Sequence, residues 1–212
     1  MNKTLIAAVL ATLLAAPTLA SAAGNLIDNG SFEDVSFSAG EQNQGAGSWS
    51  IYTQIPGWTT VQGDGIEVRN NVAGVAVDGT SFVELDAVGN STMRQELTTT
   101  TAGQWYDLGF MYSPRAGVTG LNNNDIRVVW NGTDVTTVGG NLPAGNLVWT
   151  PYSFKVQAIG NDVLTFAAAG QSDALGGSLD AVSLTAAVPE PTTYALMMAG
   201  LLAVGFIARR RA

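Results

Sequence analysis

YDLGFMYSPR, residues 106–115, decides how this chain folds. Tyr106, Leu108, Phe110 and Tyr112 fall on one side of an extended backbone, and Asp107 and Gly109 fall on the other. A half-buried strand requires that period of two, because successive side chains point to opposite faces of a sheet. The pattern recurs on both sides of this stretch. Upstream, Val83 and Leu85 alternate with Phe82, Glu84 and Asp86. Downstream, Ile126, Val128 and Trp130 alternate with Asp125 and Arg127. Asn131-Gly132 then supplies a tight two-residue turn into residues 133–137, a strong hairpin signal. Tyr152, Phe154, Val156 and Ala158 alternate with Ser153, Lys155 and Gln157. Segments 48–52, 65–69, 91–97, 162–168 and 178–185 have strand length and composition, and Gly, Asn, Asp and Pro separate them. Between residues 25 and 187 no apolar period of 3.6 is sustained. These features predict an all-β antiparallel sandwich.

Residues 1–22 have the form of a secretory signal peptide, with Lys3, an apolar stretch over 5–16 and the small-residue site Ala20-Ser21-Ala22. Residues 23–187 are then the mature domain, and 188–212 the tail. The tail holds Pro189-Glu190-Pro191, an apolar run over 194–208 and the basic end Arg209, Arg210 and Arg211. The run reads as a single C-terminal transmembrane helix, about 22 Å long, with stop-transfer arginines that stay cytoplasmic.

The chain has no cysteine and no histidine, which excludes thiol nucleophiles, a Ser-His-Asp triad and an ordinary zinc site. Without Lys3, Glu190 and the three terminal arginines, 16 acids face 5 bases, a net charge near −11. That charge argues against nucleic acid as a partner.

The tail resembles the PEP-CTERM sorting signal of Gram-negative bacteria that produce exopolysaccharide. The resemblance implies an exosortase as partner, an inner-membrane-anchored intermediate, and a final place at the cell surface or in the extracellular matrix. The body resembles the galactose-binding-like jelly rolls, a group that includes carbohydrate-binding modules and plant cell-wall proteins. That resemblance rests on residues 25–33 (NLIDNGSFE), 58–68 (WTTVQGDGIEV), 78–86 (DGTSFVELD), 95–97, 106–115 and 179–184 (LDAVSL). It implies a jelly-roll sandwich with residues 25–33 as first strand and a polysaccharide as partner. It further implies a structural calcium between the first and last strands, at the matching positions Glu33 and Asp180. Calcium takes oxygen ligands from carboxylates and carbonyls. Equally, Glu33 and Asp180 are strand-end acids, or Asp180 accepts backbone hydrogen bonds.

The candidate ligand-binding residues are Glu84, Asp86, Tyr112 and Arg115, with Trp49 and Trp58 on preceding loops. Asn124 and its neighbours Asn122 and Asn123 add amides, and Trp130 and Trp149 read as core or sheet-edge residues. Sugars are held by aromatic faces and by planar polar groups that hydrogen-bond paired hydroxyls. Three functions stay open: a non-catalytic polysaccharide-binding surface protein, a structural matrix or biofilm protein without a specific ligand, and a glycan hydrolase using Glu84 and Asp86.

Overall fold

A computed structural model describes residues 24–36, 45–118, 124–141 and 145–187, together with positions 200, 206, 207, 209 and 210. Gly24–Ala187 forms one compact unit. The second unit, Met1–Ala23 with Val188–Ala212, lies outside the described residues except for those five helical positions, where Arg210 sits over the Phe206 ring. The signal-peptide expectation, Pro189-Glu190-Pro191, Arg211 and most of the 194–208 run therefore fall outside them. Among the described residues no helix is long and apolar enough to cross a membrane.

The described residues of the unit Gly24–Ala187 contain twelve strands: β1 Ser48–Tyr52, β2 Gln54–Ile55, β3 Trp58–Gln62, β4 Ile66–Asn70, β5 Ser81–Glu84, β6 Thr92–Leu97, β7 Trp105–Ser113, β8 Ile126–Trp130, β9 Thr133–Val138, β10 Thr150–Gln157, β11 Asp162–Ala168 and β12 Ser178–Ala186. They form two six-stranded sheets, ordered β1-β4-β5-β12-β7-β10 and β2-β3-β6-β11-β8-β9, with every pairing antiparallel. Within β5 to β12 the pairing is nested: β5 with β12, β6 with β11, β7 with β10, and β8 with β9 at the tip. A long hairpin rolled so that its arms alternate between two sheets is a jelly roll.

Local chemistry sets this order. In β7 the aromatic and aliphatic face is buried, while Asp107, Gly109 and Met111 are half-buried. Asn131 and Gly132 both take positive φ, 51° and 79°, as a two-residue β8–β9 turn demands. β10 is an edge strand, so its inward Tyr152 and Phe154 remain half-buried and stack beside Phe110. At the centre of the core, Trp58 lies between Phe32 and Phe166, with ring centroids 5.7 and 5.9 Å away.

Residues 25–33 do not form the expected first strand. Asn29 and Phe32 have φ of 50° and 57°, which breaks extension. The segment still docks on β12. Leu26 N–H donates to the Leu184 carbonyl, and Asn25 Oδ1 accepts from Leu184 N–H. A Cβ on Gly30 would stand 2.1 Å from the Val182 carbonyl oxygen, so glycine alone fits beside the β12 bulge.

Candidate functional site

Alternation in β4 places Ile66 and Val68 in the core and turns Glu67 and Arg69 to the opposite face of the first sheet. In β5, Val83 goes inward while Phe82 and Glu84 go outward. Strand register aligns these into two rows. One runs Trp49, Arg69, Phe82; the next runs Ile51, Glu67, Glu84, Ser178.

Two glutamates facing each other across strands repel. Here two arginines hold them. Arg69 Nη2 lies 2.6 Å from Glu67 Oε1 and 3.0 Å from Glu84 Oε2. Arg115 Nη1 donates to both Glu84 oxygens, at 3.0 and 2.7 Å, and Gly176 N–H donates to Oε1 at 2.8 Å. Glu67, Arg69 and Glu84 are buried even though they point away from the core. Trp149 packs on the same face, its ring meeting Phe82 edge-on at 5.7 Å and its Nε1 donating to the Val75 carbonyl. Burial, aided by Glu67, raises the Glu84 pKa to about 7 despite Arg69 and Arg115. Burial also raises Glu67, against the pull of Arg69 and Arg115.

Arg115 and Trp49 reach water, with the Arg115 side chain 20% and Trp49 54% exposed. Arg115 follows Pro114, and its N–H donates to Asn124 Oδ1. Asp86 lies buried just past Glu84. One of its oxygens accepts Asp173 N–H, and the other has no partner among the described residues.

The structure thus brings Glu84 and Arg115 together, with Asp86 and Trp49 at the margins. Two expected ligand residues belong elsewhere. Trp58 lies in strand β3, not a loop, and is fully buried, its Nε1 donating to the Asn29 carbonyl. Tyr112 faces the core and acts through its hydroxyl, which donates to the Asn124 carbonyl and fixes the loop beside Arg115. Asn122 and Asn123 fall outside the described residues. Sequence reasoning missed Glu67, Arg69, Phe82 and Trp149. The alternation Ile66-Glu67-Val68-Arg69 carried the signal for the first two.

Glu33 and Asp180 form a different arrangement from the expected cation site. Asp180 Oδ2 accepts Val77 and Asp78 N–H, at 2.8 and 3.0 Å, and Oδ1 accepts Ala181 N–H. Glu33 Oε1 accepts Thr80 and Ser81 N–H, and Oε2 accepts the Thr80 hydroxyl. The two carboxylates clasp residues 77–81 through donors. Calcium needs six to eight oxygens around one point. These oxygens already face N–H and O–H groups, and among the described residues no three acids gather around a common centre. The residues present do not fit the ion. Burial raises the Asp180 pKa to about 6, against the pull of the three N–H groups. A chelator is therefore expected to leave the melting temperature unchanged. Asp180→Ala is expected to lower it by several degrees, since a hydrogen bond to a buried charge is worth about 1.5–3 kcal/mol. A chelator-induced drop of several degrees would contradict this.

By connectivity and site, the folded unit is a jelly-roll sandwich with one polar, aromatic-edged outer face. Residues 187–211 match the PEP-CTERM protein-sorting motif, so the chain is an exported protein with a membrane-anchored C-terminal sorting signal. A 129-residue stretch is 33% identical to the multifunctional-autoprocessing repeats-in-toxin of Vibrio vulnificus, covering 59% of this chain and 2% of that protein. A family 35 carbohydrate-binding module from an environmental isolate is similar with a TM-score of 0.44 and 16% identity, over 67% of this chain and 99% of that one. TmCBM61, solved with β-1,4-galactotriose, gives 0.43 and 16% over 77% and 99%. The family 35 module of Clostridium thermocellum gives 0.41 and 18% over 61% and 98%.

Proposed function

We propose that this exported protein binds a polysaccharide through the outer face of its first sheet, without catalysing a reaction. The observation that carries the reading is Trp49, an exposed indole in the same cross-strand row as Arg69 and one row from Glu67 and Glu84. Indole faces suit pyranose C–H surfaces, and a fixed guanidinium such as Arg115 suits paired hydroxyls. The cluster of two arginines and two glutamates is near neutral, which favours an uncharged glycan over a strongly anionic one. An exosortase processes the tail at Pro189-Glu190-Pro191, and the mature protein serves the cell surface or a polysaccharide matrix.

The hydrolase reading of Glu84 and Asp86 has less support. Glu84 is committed to two arginines and the Gly176 N–H, and Asp86 is buried beside Asp173. The test is titration of the exported protein against the exopolysaccharide of its own producer and against neutral β-linked glucans, mannans and galactans, with reducing-sugar release followed in parallel. Saturable binding without sugar release is expected. Sugar release would make the protein an enzyme, and the absence of binding to every glycan would leave the matrix role without a ligand.

A further inference from the structure

The chain leaves the sandwich at a pole that differs in chemistry from the rest of its surface. Ala186 pairs with Tyr106, and Ala187 N–H donates to the Trp105 carbonyl at 2.9 Å. Trp105, here at the start of β7, is 51% exposed, and Ile159 in the adjoining β10–β11 loop is 68% exposed. The two segments are tied together, since Ala158 N–H donates to the Gln104 carbonyl and Gln157 pairs with Trp105. The β8–β9 turn joins them through Trp130 Nε1, which donates to the Gln157 carbonyl. None of the segments 98–104, 131–133 and 158–161 contains a charged residue. Of the acids next to them, Asp162 is buried and consumed by Thr100, Asn131 and the N–H groups of Ile159 and Gly160, while exposed Asp134 is paired with Arg127. Exposed Lys155 is likewise paired with Asp107.

We propose that this pole rests on the phospholipid surface in which the C-terminal tail is anchored, with Trp105 and Ile159 in the headgroup layer. The inference rests on the anchored tail of the exported form. Six residues, 188–193, separate Ala187 from the apolar run. Fully extended they span about 20 Å, so the exit pole is held within that distance of the bilayer. Tryptophan favours the membrane interface. An acidic domain is repelled by an anionic leaflet, and a pole whose bordering charges Asp134 and Lys155 are each neutralised by a partner approaches it at low cost. Arg115 and Asp86 lie beyond the far ends of β7 and β5, about 30 Å away by strand rise, so they stand clear of the membrane in the anchored protein.

The absence of cysteine allows a single label anywhere in the chain. Full-length protein carrying Ile159→Cys, or Val88→Cys at the opposite pole (64% exposed), is labelled with an environment-sensitive fluorophore. Each is reconstituted into phosphatidylethanolamine–phosphatidylglycerol vesicles containing spin-labelled lipid, and flotation reports whether the tail is inserted. Floating protein quenched about twofold or more at position 159 relative to 88 is expected. Floating protein with equal quenching at both positions overturns the proposal and leaves the anchor intact. Protein that does not float overturns the anchored tail and the proposal with it.

Discussion

Glu84→Ala is expected to lower the stability of the sandwich by about 3–5 kcal/mol, because it leaves buried positive charge without its partner. Arg69 and Arg115 both end on this carboxylate, and only Glu67 remains to answer Arg69. Glu84→Gln keeps the shape and removes the titration. The sign of the pH dependence follows from the raised pKa. Below the ordinary value of 4.5 the carboxyl is protonated in folded and unfolded chains alike. Between 4.5 and about 7 the folded protein holds a proton that the unfolded chain has released, so stability falls as pH rises through this window. Asp180 acts in the same direction between 3.8 and about 6. Urea unfolding of the wild type is therefore expected to show greater stability at pH 5 than at pH 8, with a smaller difference in Glu84→Gln. Equal or greater stability at pH 8 would contradict the burial of this carboxylate.

Trp58→Ala is expected to cost about as much, 3–5 kcal/mol, for a different reason. The indole is fully buried between Phe32 and Phe166, and its loss opens a large cavity and leaves the Asn29 carbonyl with Phe32 N–H as its donor. For a domain of this size the melting temperature is expected to fall by roughly 10 °C or more. An unchanged melting temperature together with lost glycan binding would return Trp58 to the ligand face.

Those two residues show how far the sequence could be read. The strands with clean alternation, β7, β8 and β10, were legible because one face of each is apolar, and β9 because the Asn131-Gly132 turn carries its own chemistry. Residues 25–33 were misread as a strand because positive φ at Asn29 and Phe32 leaves no mark in an apolar-polar pattern. Trp58 opens a strand that is otherwise Thr, Val and Gln, and such a segment looks like a loop until Phe32 arrives from elsewhere in the chain. The outward direction of Glu84 was legible, but its burial was not. Its partners are Arg69, Arg115 and the loop around Gly176, all distant in sequence. For Glu33 and Asp180 the positions suggested a shared cation. Spacing cannot distinguish a carboxylate that faces a metal from one that faces N–H groups, and here the turn at 77–81 supplies the donors.

The central claim is that the outer face beside Trp49 binds glycan, and one comparison tests it most directly. Wild-type protein and Trp49→Ala are titrated against the same polysaccharide, with melting temperatures measured on the same samples. Trp49 is half-exposed on an edge strand, so its removal is expected to leave the melting temperature within a few degrees. Loss of an aromatic platform is expected to weaken binding by about tenfold. Undiminished affinity in Trp49→Ala would place the ligand elsewhere on the molecule and contradict the account.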